Sequence, residues 1–258
     1  MLALFFLEGT EMWLVLCSSS DTSGLWVYHG LRQLGVGPME LVLSESLAFG
    51  SRWEHRLDGS ATQLRVTLPD GRMLCSSRIR GAINRVVAPA PGIDQQAAIS
   101  DREYAQAELH AFYLSWLHGL PGVVINRPGA VGLCGPWYHI SEWVSRASRA
   151  GLKAPVYRQS AQDTAARGDA SLAPEGTTTV NLIAFRGEVY GGRVAEPVAR
   201  ACARLAQEAR TELLGVELYA SQNGEWTFAS ATPYPSLSVG GMPLLRSLAE
   251  ALTQGATS

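Results

Sequence analysis

Apolar positions along this chain switch between strand-length runs and spacings of three and four, an alternation that predicts an α/β fold. A continuous apolar run at 12–17 (MWLVLC) ends in the polar stretch Ser18–Gly24. Helical spacing then takes over in LWVYHGLRQLG and stops at Gly35 and Gly37. Strands are predicted at 39–44, 62–68 and 73–76, the last two joined by a turn at Pro69, Asp70 and Gly71. After a Pro- and Ala-rich loop at 86–92, a long helix is predicted from Asp101 to His118. Ser100 is its expected N-cap and Glu103 the partner in a capping box. Tyr104, Leu109, Phe112, Trp116 and Leu117 form its expected core face.

The second half repeats the alternation. A strand at Val123–Asn126 leads through the turn Arg127–Pro128–Gly129 to a helix over 138–150, ended by Gly151. Residues 157–178 are polar, rich in Ala and Gly and without period, and are expected to form a linker or mobile loop. Strands follow at 179–185 and 188–194 around Arg186–Gly187, then a helix over 196–213. A strand pair on either side of Asn223–Gly224 and a helix over 242–253 complete the chain. Two domains are expected, 1–128 and 129–258.

Composition narrows the function classes. At 258 residues and 47% hydrophobic the chain can bury a core and is not a disordered segment. A formal charge of −2 supplies no basic field for nucleic acid or an anionic membrane. Lys153 is the only lysine among 21 basic residues, leaving arginine as the cation for any phosphate or carboxylate. Cys17, Cys75, Cys134 and Cys202 have neither zinc nor disulfide spacing, so no metal site is expected and a reducing cytoplasm is. The opening MLALFFLEGTE lacks the basic region and cleavage site of a signal peptide, and Met12 is an alternative start.

Four segments, taken in order, resemble the glutathione-synthetase-like branch of the ATP-grasp superfamily. Residues 101–128 are similar to the helix, strand and Asn-Pro-type turn that close that family's N-terminal domain, here Asn126–Arg127–Pro128. Residues 138–156 are similar to the next helix and its exit at Gly151–Leu152 and Pro155. Residues 180–194 resemble its hairpin. Residues 208–237 resemble its last strand pair, with Gly215-Val216-Glu217 on one strand and Phe228 to Pro235 on the other. The resemblance implies a pre-ATP-grasp-like N-terminal domain followed by a reduced ATP-grasp-like α+β domain.

The departures from the family pattern bear on activity. Ser230 and Thr232 stand at the positions of the family's Glu and Asn, Asn181 at that of its hairpin arginine, and Glu217 at that of its Asp. Magnesium on a triphosphate needs hard, preferably anionic oxygens, for which two hydroxyls are poor replacements. The family's lysine-bearing central subdomain is reduced to 157–178. The resemblance with these losses implies a pseudoenzyme without catalytic residues or cofactor, binding a peptide or a partner ligase. The alternative is a working ATP- and magnesium-dependent carboxylate–amine ligase in which Arg158, Arg167 or Arg193 replaces the lysines and Glu217 holds one metal. Self-association is left open.

Three other patterns carry chemistry. Arg78, Arg80 and Arg85 follow a predicted strand end, where α/β sheets open their ligand crevice, and with Asn126 and Arg127 they are the expected peptide-binding set. Leu133-Cys134-Gly135-Pro136-Trp137 has the outline of half a thioredoxin site but no resolving cysteine, so the expectation is a helix entry at Pro136. The Ser18–Gly24 loop is either an anion cradle, making the chain a small-molecule-binding module, or an N-cap at Asp21, Thr22 or Ser23.

Overall fold

The computed structural model describes residues 11–58, 61–90, 98–158, 171–221 and 223–254. The chain divides into two units: one runs to Pro128 and resumes at Leu245, and the other covers Gly129–Leu244.

The first unit is built on a parallel sheet of β1 (Met12–Cys17), β2 (Met39–Leu43), β6 (Ile79–Asn84) and β7 (Val123–Ile125), in the order β2-β1-β6-β7. Every residue of β1 is buried, as its unbroken apolar run requires of a central parallel strand. Helix α1 (Thr22–Gln33) follows it and is capped by Asp21, whose side chain accepts from the Ser23 and Gly24 N–H groups. Strand β6 carries no legible apolar run, and the segment holding it is a strand rather than the end of one. Gly81 explains both facts: a Cβ there would lie 2.3 Å from Val123 O and 2.9 Å from Trp13, so the neighbouring chains fit only against glycine.

A separate antiparallel sheet joins β3 (Arg52–Asp58), β4 (Ala61–Thr67) and β5 (Met73–Cys75), after a short helix α2 (Ser44–Ala48). Neither β3 nor α2 was expected; the charges interleaved in RWEHR mask a strand whose Trp53 packs on helix α3 (Arg102–His118). The Trp53 ring centroid lies 4.7, 5.7 and 5.8 Å from those of Phe112, Tyr113 and Trp116. The buried residues of α3 are therefore Tyr113, Trp116 and Leu117, while Tyr104 of the expected face is 69% exposed. The expected capping box is also absent. A 3₁₀ turn at Ile99–Asp101 precedes α3, and the Ser100 hydroxyl donates to Asp101 instead of accepting from the helix.

The second unit is an antiparallel sheet in the order β11-β10-β8-β9, formed by β8 (Thr179–Phe185), β9 (Glu188–Gly191), β10 (Leu213–Ala220) and β11 (Trp226–Thr232). Helices α4 (Ile140–Arg149) and α5 (Glu196–Glu208) cover one face. Ile140, Trp143, Ala147, Cys202 and Leu205 pack there on Leu182, Ala184, Leu214, Val216, Leu218 and Phe228. Helix α4 begins at Ile140 with His139 as its N-cap, so Pro136 is not in its first turn and Cys134 is not at its N-terminus. Helix α5 stops at Glu208 rather than 213, and Gly191 at φ 109° ends β9 early.

Parts of the expected loop at 157–178 are anchored. Tyr157 and Leu172 pack against the core, and Leu172 N–H donates to Ala229 O at 3.0 Å. The expectation at 159–170 lies outside the described residues. A last helix, α6, spans Gly241–Gln254. No helix among the described residues is long and apolar enough to cross a membrane.

Candidate functional site

The face of the second sheet turned away from α4 and α5 carries four of the sequence-derived site residues together. Glu217 on β10 is in register with Asn181 on β8 and with Ser230 on β11, while Gly215, two residues earlier, faces Thr232. Alternation along the strands puts all four on the side opposite Val216 and Leu218. Together they line a hollow of about 220 Å³ walled by Tyr234, Pro235, Ser236 and Val239. Gly215 permits that wall, since a Cβ there would lie 2.6 Å from Pro235 Cβ. Arg193, the fifth member of this expected set, is exposed in the loop after β9 and is not among the lining residues. The wall residues Ser236 and Val239 were not anticipated; the 3₁₀ turn Leu237–Gly240 that presents them has no periodic signal in the sequence.

The electrostatics of the hollow are weak. Glu217 is its one carboxylate, and the Ser230 hydroxyl already donates to Glu217 Oε2 at 3.1 Å. Thr232 Oγ1 accepts from Tyr234 N–H at 3.1 Å. Lys153 is paired with Glu225 at 2.5 Å and is not among the lining residues. Among the described residues no group of three or more His, Cys, Asp or Glu side chains is placed to hold a metal. The volume is below the roughly 300–1,000 Å³ usual for ligand pockets. Magnesium seeks about six hard oxygens, with carboxylates and phosphates foremost. These residues do not fit a magnesium–triphosphate pair.

The expected peptide-binding set is split. Arg78 and Arg80 lie at the N-terminal end of β6 and Arg85 just past its C-terminal end, about 16 Å away at 3.3 Å per residue. They do not share the edge expected of them. Arg80 pairs with Glu11 at 3.2 Å and lies over the Trp13 ring. Arg85 is buried at 5% exposure and forks onto Asp21, Nε to Oδ2 at 2.6 Å and Nη2 to Oδ1 at 3.1 Å. Arg127 is engaged with the chain after α3, donating to His118, Leu120 and Gly122 carbonyls, the last at 2.7 Å. Asn126 is buried at φ 58°, and its carbonyl accepts from Asn84.

In the serine-rich loop, the donors of Ser19, Ser23 and Gly24 are spent on internal carboxylates. Ser19 gives its N–H and hydroxyl to the Glu45 carboxylate, and Asp21 takes the N–H groups of Ser23 and Gly24. Burial pushes the Glu45 carboxyl up, but hydrogen bonds from its own N–H and from Ser19 outweigh it and hold the group below its ordinary 4.5.

All four cysteines are free. Burial, followed by the charge of Asp21, pushes the Cys17 thiol up to about 12, and burial does the same to Cys202. At pH 8 a thiol with that pKa is ionised to about one part in ten thousand. Native alkylation with iodoacetamide at pH 8, read by peptide mass spectrometry, is therefore expected to label the half-exposed Cys75 first and to spare Cys17, Cys134 and Cys202. Early labelling of Cys134 would reopen a redox role for it.

No protein-family model matches the chain, and no curated protein does. Solved structures do match. The chain is similar to a Chryseobacterium gregarium RiPP-associated ATP-grasp ligase in complex with ADP and a leader and core peptide, at 9% identity, TM-score 0.71, over 95% of this chain and 97% of that one. It is similar to the macrocyclase MdnC of Microcystis aeruginosa bound with precursor peptide MdnA, at 11% identity, TM-score 0.69, over 94% and 99%. A third match is the ATP-grasp ligase PsnB complexed with minimal precursor, Mg and ADP, at 14% identity, TM-score 0.63, over 96% and 98%. At such identities the likeness is one of fold, and the chain has the fold of the ATP-grasp ligases.

Proposed function

We propose that this chain is a peptide-binding protein of ATP-grasp fold whose nucleotide face no longer supports phosphoryl transfer. One observation carries the loss: where the family gathers carboxylate and amide ligands, this sheet face presents a single carboxylate, Glu217, tied to Ser230 and flanked by Asn181 and Thr232. Peptide binding rests on the likeness to ligases solved with precursor, leader or core peptides. In this reading the partner is a precursor peptide, or an active ligase working on one, in the cytoplasm.

A second reading, an active ATP-dependent carboxylate–amine ligase, is favoured by the ADP in two of those similar structures and the Mg in one. It needs Glu217 to anchor one metal and Arg158 or Arg193 to replace lysine; Arg167 lies outside the described residues. Calorimetric titration with Mg·ATP separates the two. The first reading expects binding no tighter than about 1 mM, worth about 4 kcal/mol, because the charge-assisted contacts are missing. Micromolar binding, or a magnesium-dependent rise in Tm with ATP, would establish the ligase reading instead.

A further inference from the structure

Helices α4 and α5 end side by side, and each is capped by an arginine of the other. Arg146 Nη1 donates to Glu208 O at 2.5 Å, and Arg204 Nε donates to Ala150 O at 2.9 Å. Both helices close in the same way. Gly151 and Leu152 N–H groups return to Ser148 and Ala147, and Arg210 and Thr211 N–H groups return to Gln207 and Ala206. The residue this closure forces into the left-handed region is Gly151 at φ 87° in α4, but Arg210 at φ 52° in α5. A side chain is disfavoured there, and glycine is the usual occupant.

Between the two helix ends lies an open hollow of about 590 Å³, within the size range of small-molecule sites. Its lining residues include four arginines, Arg146, Arg149, Arg204 and Arg210, and one acidic residue, Glu208. A second carboxylate, Glu142, holds Arg146 at 2.6 Å, and Tyr138 lies under the same guanidinium at 4.1 Å. Helix capping accounts for Arg146 and Arg204. It does not account for Arg149, whose contact with Glu208 is long at 3.7 Å, or for Arg210, which has no side-chain partner among the described residues. Four like charges against two opposite ones repel one another, in a protein whose net charge is −2. The dipoles of both helices favour cations at these C-terminal ends, but they do not explain a side chain at the left-handed position of Arg210, where α4 has Gly151.

We propose that this hollow is a binding site for a small molecule bearing two or more neighbouring oxyanion groups, phosphates or carboxylates. Guanidinium forks match pairs of such oxygens. Two of the four are already oriented by carbonyl bonds, so less freedom is lost when a ligand arrives. The hollow lies on the helix-covered side of the sheet, away from Glu217, and the site is independent of the nucleotide face.

The test is calorimetry of the full chain with inorganic pyrophosphate and with citrate, without magnesium and at low salt. One-to-one binding tighter than about 1 mM is expected for at least one of them, weakening steeply with added salt. A pyrophosphate preference identifies phosphate groups as the ligand chemistry, and a citrate preference identifies carboxylates. Arg210→Gly removes one guanidinium and relieves the left-handed position, so it is expected to weaken binding by about tenfold or more while leaving Tm unchanged or raised. Arg149→Ala is expected to weaken binding similarly, and Glu217→Gln to leave it unchanged. Absence of binding by both anions, or a loss below about twofold in both arginine variants, would overturn the proposal.

Discussion

Arg85→Ala is expected to cost about 3–5 kcal/mol of folding stability, read as a lower urea midpoint, because it strands a buried carboxylate. Asp21 is 3% exposed at its side chain and holds Arg85 through two bonds, next to the buried Cys17. Removing the cation leaves Asp21 charged and buried, where its remaining partners include the N–H groups of Ser23 and Gly24. Replacing both partners, as Arg85→Met with Asp21→Asn, is expected to recover most of the loss. Asparagine still caps α1 and no buried charge remains. An Arg85→Ala protein within about 0.5 kcal/mol of the parent would show that the guanidinium is not needed inside, and would return Arg85 to the candidates for peptide binding.

Trp116→Ala is the second large expected effect, about 3–5 kcal/mol by the same measurement. Its side chain is 1% exposed and stands edge-on to Trp53, so truncation removes a large apolar area, opens a cavity and takes away one of the three rings that seat β3 on α3. Tyr104→Ala on the same helix is the control. The tyrosine is 69% exposed and its loss is expected to stay within about 0.5 kcal/mol. Comparable losses in the two variants would mean that α3 does not bury Trp116 in preference to Tyr104.

The sheet face that carries Glu217 was legible in the sequence because it is made by neighbours in one antiparallel sheet. Once 179–185, 213–220 and 226–232 are strands, alternation and register bring Asn181, Glu217, Ser230 and Thr232 to one side. The three arginines expected to bind peptide were placed together because the strand between them was not seen. RIRGAIN shows glycine and charge where a central strand shows Val and Ile, so Arg78, Arg80 and Arg85 look like one turn instead of the two ends of β6. Arginine types and spacing also gave no sign that Arg149 and Arg210 share a hollow, since that depends on where α4 and α5 end.

By itself the sequence determined the alternation of helices and strands, the hairpin stops at Gly187 and Gly224, an N-cap among Asp21, Thr22 and Ser23, and which residues share the sheet face of Glu217. These follow from local rules: periodicity, turn conformation and the reach of a side chain to its own backbone. Only the tertiary structure decided that Gly81 makes room for a central strand, that Trp53 selects the buried face of α3, and that Asp21 neutralises Arg85 across 64 residues of chain. Burial and charge pairing are properties of neighbours in space, and a charged side chain reads the same in sequence whether it faces solvent, a ligand or a buried counter-ion.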